Sequence, residues 1–168
     1  SLRKEHLMWE KDMNINEVKE IRTRTCVYFG CGAINKIEDI AKDFKSKGLD
    51  KVIVMSGRNA YKSTGAWAVV EKALKENGIG YVNYDKVTPN PTTDAIDEAT
   101  KLARDFGAKA VITIGGGSPT DAGKSVAILL EYPDKTGSDI YEFKFDVEKM
   151  QISFRKKSSV RSKDIAAL

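Results

Sequence analysis

Cysteine and histidine are scarce in this sequence. Its 168 residues include two cysteines and one histidine, His6. Two cysteines are too few for the disulfide framework of a small secreted domain, so we expect a reducing, cytoplasmic setting. Zinc and iron sites built from His and Cys usually need three or four converging ligands, which these residue types cannot supply here.

Long apolar runs are missing as well. A membrane-spanning helix needs roughly 20 consecutive apolar residues, and no run in the sequence approaches that length. We therefore expect no membrane partner. A content of 41% hydrophobic and 31% charged residues also excludes a collagen-like or fully disordered chain.

The net charge of +4 comes from 28 basic and 24 acidic residues, and it is unevenly placed. Residues 151–168 hold one acid and five bases, which leaves 23 of each sign before them; the bases are Arg155, Lys156, Lys157, Arg161 and Lys163. A nucleic-acid partner would depend on this segment alone, and we expect none because a charge run is usually solvated. We predict an N-terminal tail (1–13), one domain (14–150) and a basic tail (151–168).

Short apolar runs alternate with helical patterns between residues 25 and 130. Apolar runs at 25–29, 52–55, 81–84 and 110–114 predict strands, and apolar residues at helical spacing predict helices between them, the last from about 119 to 130. Glycines at 48, 78 and 107 stand where helix C-caps belong. The alternation predicts an α/β fold, with a parallel sheet covered by helices on both faces.

The most informative segment is AVITIGGGSPTDAGK at 110–124. An apolar strand leads into Gly115, Gly116 and Gly117, and a helix follows. Glycine lets a ligand approach the backbone closely, and a helix start offers free N–H groups and partial positive charge. The segment therefore predicts a phosphate or pyrophosphate site at the carboxyl end of a strand.

Helix capping explains part of the same segment. Ser118 suits the N-cap position, Pro119 the first helical position and Asp121 the third. A turn needs only one glycine, so three in succession favour ligand binding over capping alone.

Two other nucleotide motifs fit less well. The P-loop pattern G-x-x-x-x-G-K-[ST] is matched only by Gly123, Lys124 and Ser125, inside the predicted helix. The Rossmann pattern G-x-G-x-x-G is matched by Gly30 and Gly32 but has an asparagine at the third position.

Four segments resemble the iron-containing (metal-dependent, group III) alcohol dehydrogenases in order and spacing. They are FGCGA at 29–33, SGRNAYKSTGAW at 56–67, VTPNPT at 87–92 and GGGSPTD at 115–121. The resemblance covers roughly residues 8–149. It implies a Rossmann-like N-terminal α/β domain, as in the dehydroquinate synthases, that binds NAD or NADP. It also implies a C-terminal all-helical domain that holds iron or zinc.

By position, the resemblance implies roles for three loops. The glycine loop would hold the pyrophosphate, the turn at 56–58 would meet the adenosine ribose, and the asparagine of the VTPNPT turn would line the cofactor cleft. Asp121 would lie near the nicotinamide. The candidate cofactor-binding residues are Gly57, Arg58, Asn59, Asn90, Gly115, Gly116, Gly117, Ser118 and Asp121.

The second loop also predicts which cofactor is preferred. Members that prefer NAD tend to carry an acid at this strand end, which bonds the ribose 2′-hydroxyl and repels a 2′-phosphate. Here Gly57 leaves room and Arg58 offers positive charge. We therefore expect NADP rather than NAD.

The family's metal ligands, typically one Asp and three His beyond the cofactor domain, have no counterpart in this sequence. After Met150 the sequence does not follow the family pattern, and we expect a truncated chain that is inactive alone, with the helical domain absent. The implied partners are a nicotinamide dinucleotide, a small alcohol or aldehyde, and a second copy in a homodimer. A non-catalytic nucleotide-binding module or remnant, and a polyol or sugar-phosphate dehydrogenase relative, remain alternatives.

Overall fold

The computed structural model describes residues 18–22, 25–141, 143–146, 151–154 and 165–167. The chain divides into two compact units, Ser1–Ile37 and Glu38–Leu168. The predicted N-terminal tail and the five basic residues of the predicted C-terminal tail lie outside the described residues.

The first unit contains an antiparallel hairpin. Strands β1 (Lys19–Arg22) and β2 (Cys26–Phe29) pair with Ile21 opposite Val27, and a 3-10 helix follows at Ala33–Lys36. The sequence predicted the second of these strands, but its expected place in a covered parallel sheet is wrong. β2 pairs with β1, a strand that was not predicted, and the Phe29 side chain is 69% exposed. An apolar run indicates a strand without revealing its neighbour.

From residue 37 onward strands and helices alternate. The elements are α1 (Ile37–Ser46), β3 (Lys51–Ser56), α2 (Ala60–Ser63), α3 (Ala66–Glu76), β4 (Gly80–Tyr84), α4 (Thr93–Phe106), β5 (Ala110–Ile114), α5 (Gly117–Glu131) and α6 (Gly137–Tyr141). The three strands predicted in this region, at 52–55, 81–84 and 110–114, are confirmed. The α/β class is therefore confirmed too.

The main sheet is parallel throughout. β3 lies between β4 and β5, with Val54 opposite both Asn83 and Ile112. β3 is buried from Val52 to Ser56 and β5 along its whole length. Helices cover both faces, which explains why these two strands are continuous apolar runs rather than alternating ones.

Three further strands, not predicted, lie towards the C-terminus. β6 (Phe143–Asp146) and β7 (Gln151–Phe154) form an antiparallel pair. β8 (Ile165–Ala167) pairs in parallel with β5. The described backbone of the predicted basic tail therefore includes strand structure, which its charge pattern did not indicate.

The core on one face of the sheet is formed with α4 and α5. Ile53, Met55 and Val111 contribute from the strands. The two helices contribute buried residues at helical spacing, which are Ile96, Ala99, Ala103, Ala122, Val126, Ala127 and Leu129. Small residues on both helices allow a close approach to the sheet.

The helices end as the glycine pattern predicted. The Gly48 N–H donates to the Lys45 carbonyl at 3.0 Å and the Leu49 N–H to the Phe44 carbonyl at 2.8 Å. Gly48 has φ +72, a left-handed conformation in which glycine carries no Cβ penalty. None of the helices in the described part of the chain combines the length and apolar character that a membrane span requires.

Candidate functional site

The carboxyl ends of β3, β4 and β5 meet at one edge of the sheet. Ser56, the last residue of β3, lies opposite Ile114, the last residue of β5. Met55 lies opposite Tyr84 at the end of β4. The loop after β3 and the glycine loop after β5 therefore begin side by side, where open α/β sheets bind ligands.

The segment after β4 passes next to the carboxyl end of β3. The Val87 N–H donates to the Ser56 carbonyl at 3.2 Å. A Cβ on Gly57 would lie 3.6 Å from the Val87 carbonyl oxygen, an ordinary contact. Asn90 follows with φ +56, a left-handed conformation that is uncommon outside glycine but that Asn tolerates best. The structure thus brings the predicted loops at 57–59, 90 and 115–117 to the same edge.

The three glycines of the loop differ in what surrounds them. Gly115 has φ +138, and an added Cβ would lie 3.0 Å from Pro119 Cγ, so local structure requires a glycine there. An added Cβ on Gly116 or Gly117 would meet no atom within 4 Å. All three glycines are exposed. Packing therefore accounts for Gly115 and leaves Gly116 and Gly117 facing open space.

The start of α5 corrects one prediction. The helix begins at Gly117, and its N-cap is Gly116, which has no side chain to cap the helix. Ser118, which was predicted as the N-cap, is instead the second residue of the helix. The Thr120 N–H donates to the Gly116 carbonyl at 3.3 Å. Pro119 occupies the third helical position, which costs no hydrogen bond because N–H groups of the first turn have no intrahelical partner. For the same reason, the N–H groups of Gly117 and Ser118 have no partner within the helix.

The remaining predicted residues lie on the surface of this edge. Asp121, now the fifth residue of α5, is exposed, and its Oδ1 lies 3.7 Å from Lys124 Nζ. Asn59 is the N-cap of α2, with its carbonyl accepting from Lys62 N at 3.1 Å. Arg58 is exposed and, within the described part of the chain, forms no hydrogen bond or ion pair.

A polar network that the sequence analysis missed joins β4 to α4. The Tyr84 hydroxyl donates to Glu98 Oε2 at 3.2 Å, and Lys86 Nζ lies 2.9 Å from Glu98 Oε1. Burial raises the pKa of Tyr84 to about 12, and the Glu98 carboxylate adds to the rise. The Lys86 ammonium, followed by the Tyr84 hydroxyl, lowers the pKa of Glu98. Lys86 comes shortly after β4, as Arg58 comes shortly after β3. A basic residue after each of two predicted strands was the sequence signal that could have indicated Lys86.

A depression of about 300 Å³ lies beside this network and not at the glycine loop. It is lined by Asn83, Tyr84, Asp85, Lys86, Glu98, Lys101, Leu102 and Asp105. Its walls belong to the end of β4 and to α4.

The described residues do not fit a metal. No group of three or more His, Cys, Asp and Glu side chains among them could hold a metal ion. Cys26 and Cys31 are free, exposed thiols, and His6 lies outside the described residues. We therefore derive no chemical step through a metal.

Comparison with known proteins gives the family. The model of the iron-containing alcohol dehydrogenases matches residues 25–158, so the chain belongs to that family. The long-chain primary alcohol dehydrogenase AdhA of Thermoanaerobacter ethanolicus is 55% identical over 142 residues, 84% of this chain and 36% of that protein. An NADPH-dependent butanol dehydrogenase of Clostridium saccharobutylicum is 32% identical over 114 residues, which are 68% of this chain and 28% of that enzyme's length.

The fold agrees with solved structures of the family. The crystal structure of NADH-dependent butanol dehydrogenase A from Thermotoga maritima matches with a TM-score of 0.62 and 30% identity. The match covers 82% of this chain and 31% of that one. The chain thus spans about a third of the length of the relatives it matches.

Proposed function

We propose that this chain is the cofactor-binding part of a metal-dependent alcohol dehydrogenase and that it binds NADP in preference to NAD. One observation carries the proposal. Gly116 and Gly117 border open space at the end of β5, beside a strand end that carries no acid and an Arg58 that has no ion-pair partner among the described residues. The proposed domain is the one expected from the sequence, residues 14–150.

The pyrophosphate would lie at the start of α5. N–H groups of the first helical turn and the helix dipole both favour an anion. Gly116 and Gly117 allow the backbone to approach the phosphates without a Cβ between them, and Ser118 adds a hydroxyl in the first turn. Gly115 shapes the turn itself, since its φ of +138 favours glycine.

The adenosine ribose would lie over residues 57–59. Gly57 has no side chain to fill the space of a 2′-phosphate, and Arg58 would bind it with charge-assisted hydrogen bonds. The names of the relatives state different cofactors, since one butanol dehydrogenase is NADPH-dependent and another is NADH-dependent. The preference therefore depends on this chain's own residues.

The nicotinamide would extend towards Asn90 and Asp121. When bound, it exchanges hydride with a small alcohol or aldehyde at its C4. The chain's own residues bind and orient the dinucleotide, and they include no metal ligand set in the described part. We expect cofactor binding without alcohol turnover by this chain alone, in the cytoplasm and as a homodimer.

A fluorescence titration tests the proposal. NADPH and NADH are added separately to the purified 168-residue chain, whose intact mass is confirmed first. We expect NADPH to bind at least tenfold more tightly than NADH. Equal affinities would refute the cofactor preference, and no binding of either cofactor would favour a remnant that keeps the fold without the function.

A further inference from the structure

We infer that Lys86 is a second cation for the cofactor's 2′-phosphate and that Tyr84 and Glu98 position it. The inference rests on the proposed function, since it assumes that a 2′-phosphate binds beside Arg58. It adds a residue from the segment after β4, in a position that none of the four family-like motifs includes. Lys86 would thereby contribute to the choice between NADP and NAD.

The sheet brings Arg58 and Lys86 to the same place. β3 and β4 are adjacent and parallel, with Met55 opposite Tyr84. Arg58 comes three residues after Met55, and Lys86 comes two residues after Tyr84, so both follow the same sheet edge. The hydrogen bond of 3.2 Å from Val87 N to Ser56 O ties the two loops together immediately beside these residues.

Lys86 is held in position although its side chain is exposed. Glu98 on α4 binds its ammonium at 2.9 Å. The other oxygen of Glu98 accepts from the hydroxyl of Tyr84, a residue that is only 4% exposed. A buried phenol therefore anchors the carboxylate that holds the lysine, which restricts a side chain that would otherwise lose about 2 kcal/mol of rotamer freedom on binding.

Electrostatics support the pairing of the two cations. Glu98 raises the pKa of Lys86 through its hydrogen bond and its charge, Asp85 adds to the rise, and the positive charge of Arg58 makes a smaller opposing contribution. An anion placed between two neighbouring cations is attracted by both and offsets their mutual repulsion. A ribose 2′-phosphate carries up to two negative charges and three acceptor oxygens, enough for a guanidinium and an ammonium together. The 2′-hydroxyl of NAD carries no charge and gains little from either.

The test compares one lysine with another on the same surface. Lys86→Met is the variant, and Lys101→Met is the matched control, since Lys101 also borders the depression, is exposed and pairs with an acid, Asp105. Isothermal titration with NADPH and with NADH is carried out on each full chain. We expect Lys86→Met to weaken NADPH about tenfold and to leave NADH within twofold. Lys101→Met should change neither.

A conservative variant separates a binding role from a structural one. Lys86→Arg keeps the charge and should keep the preference for NADPH within threefold of the original chain. The inference is overturned if the original chain prefers NADPH and Lys86→Met retains the full preference; the proposed function then still stands. If the original chain shows no preference, the proposed function fails and this inference fails with it.

Discussion

Gly117 and Gly123 belong to the same helix but face opposite surroundings. An added Cβ on Gly117 meets nothing within 4 Å, whereas one on Gly123 would lie 2.1 Å from Cγ2 of Thr113 on β5. The first glycine leaves space for something outside the protein, and the second lets the helix pack against the sheet. Two glycines of one helix thus differ: under the proposed function the first leaves room for the cofactor, and the second packs against the core.

The largest expected effect is that of Gly123→Ala on stability. The new methyl group overlaps Thr113, which is fully buried on a central strand and cannot move freely. Overpacking of this kind costs about 2 kcal/mol of the free energy of unfolding, even after the gain in helix propensity. Urea unfolding followed by circular dichroism measures the loss.

A double variant shows whether the overlap is the cause. Thr113→Ser removes Cγ2, so Gly123→Ala should cost clearly less in that background. An unchanged cost in the Thr113→Ser background would mean that Gly123 is needed for another reason.

Gly117→Ala should have the reverse pattern. Because nothing in the protein contacts the new methyl group, we expect the free energy of unfolding to stay within about 0.5 kcal/mol of the original. NADPH affinity should fall about tenfold, since the methyl group would stand between the backbone and the phosphates. A variant that binds NADPH normally would mean that the open space is not the phosphate site.

The starts of α4 and α5 offer a second contrast. Thr92 is the N-cap of α4 and its Oγ1 accepts from Ala95 N at 3.2 Å, whereas Ser118 makes no cap to α5. Thr92→Ala should therefore lower the free energy of unfolding by about 1 kcal/mol. Ser118→Ala should lower it by less than about 0.3 kcal/mol. Equal losses would restore Ser118 as a cap.

The last contrast appears only at alkaline pH. The pKa of Tyr84 rises from its ordinary 10.0 to about 12 in the folded protein, so folding favours the neutral phenol. This contribution is complete below pH 10 and is lost as the pH rises towards 12. The free energy of unfolding of Tyr84→Phe should therefore fall less steeply between about pH 10 and 12 than that of the original chain. Parallel pH profiles would show that another group titrates.

The sequence predicted the buried sheet well because its cause is local. β3 and β5 are buried runs between helices, and apolar continuity alone identifies such strands. β1 was missed because three of its four residues, Lys19–Arg22, are charged and only Ile21 is apolar. Its structure depends on pairing with β2, which no local pattern records.

The sequence indicated candidate residues for the site but not the details of their local structure. Glycines at the end of a strand predicted a phosphate loop, and that role stays a prediction; the structure shows that the loops after β3 and β5 begin at the paired residues Ser56 and Ile114. The prediction of Ser118 as the N-cap was wrong by two residues, since the N-cap is Gly116. The Ser-Pro-Thr-Asp sequence is compatible with either helix start, and only the backbone conformation shows which one is adopted. Lys86 and Glu98 were missed because their contact joins residues twelve positions apart across a strand and a helix.

Amide-resolved NMR tests the central claim most directly. The 15N-labelled chain is titrated with NADPH, and the shift of each backbone amide is followed. We predict changes at Gly57 to Asn59 and at Gly115 to Ser118. The amide of Lys109 donates to the Lys51 carbonyl at 2.8 Å, at the opposite edge of the sheet where β3 and β5 begin, and its signal should not shift. Saturable binding with no change in the glycine loop would contradict the account.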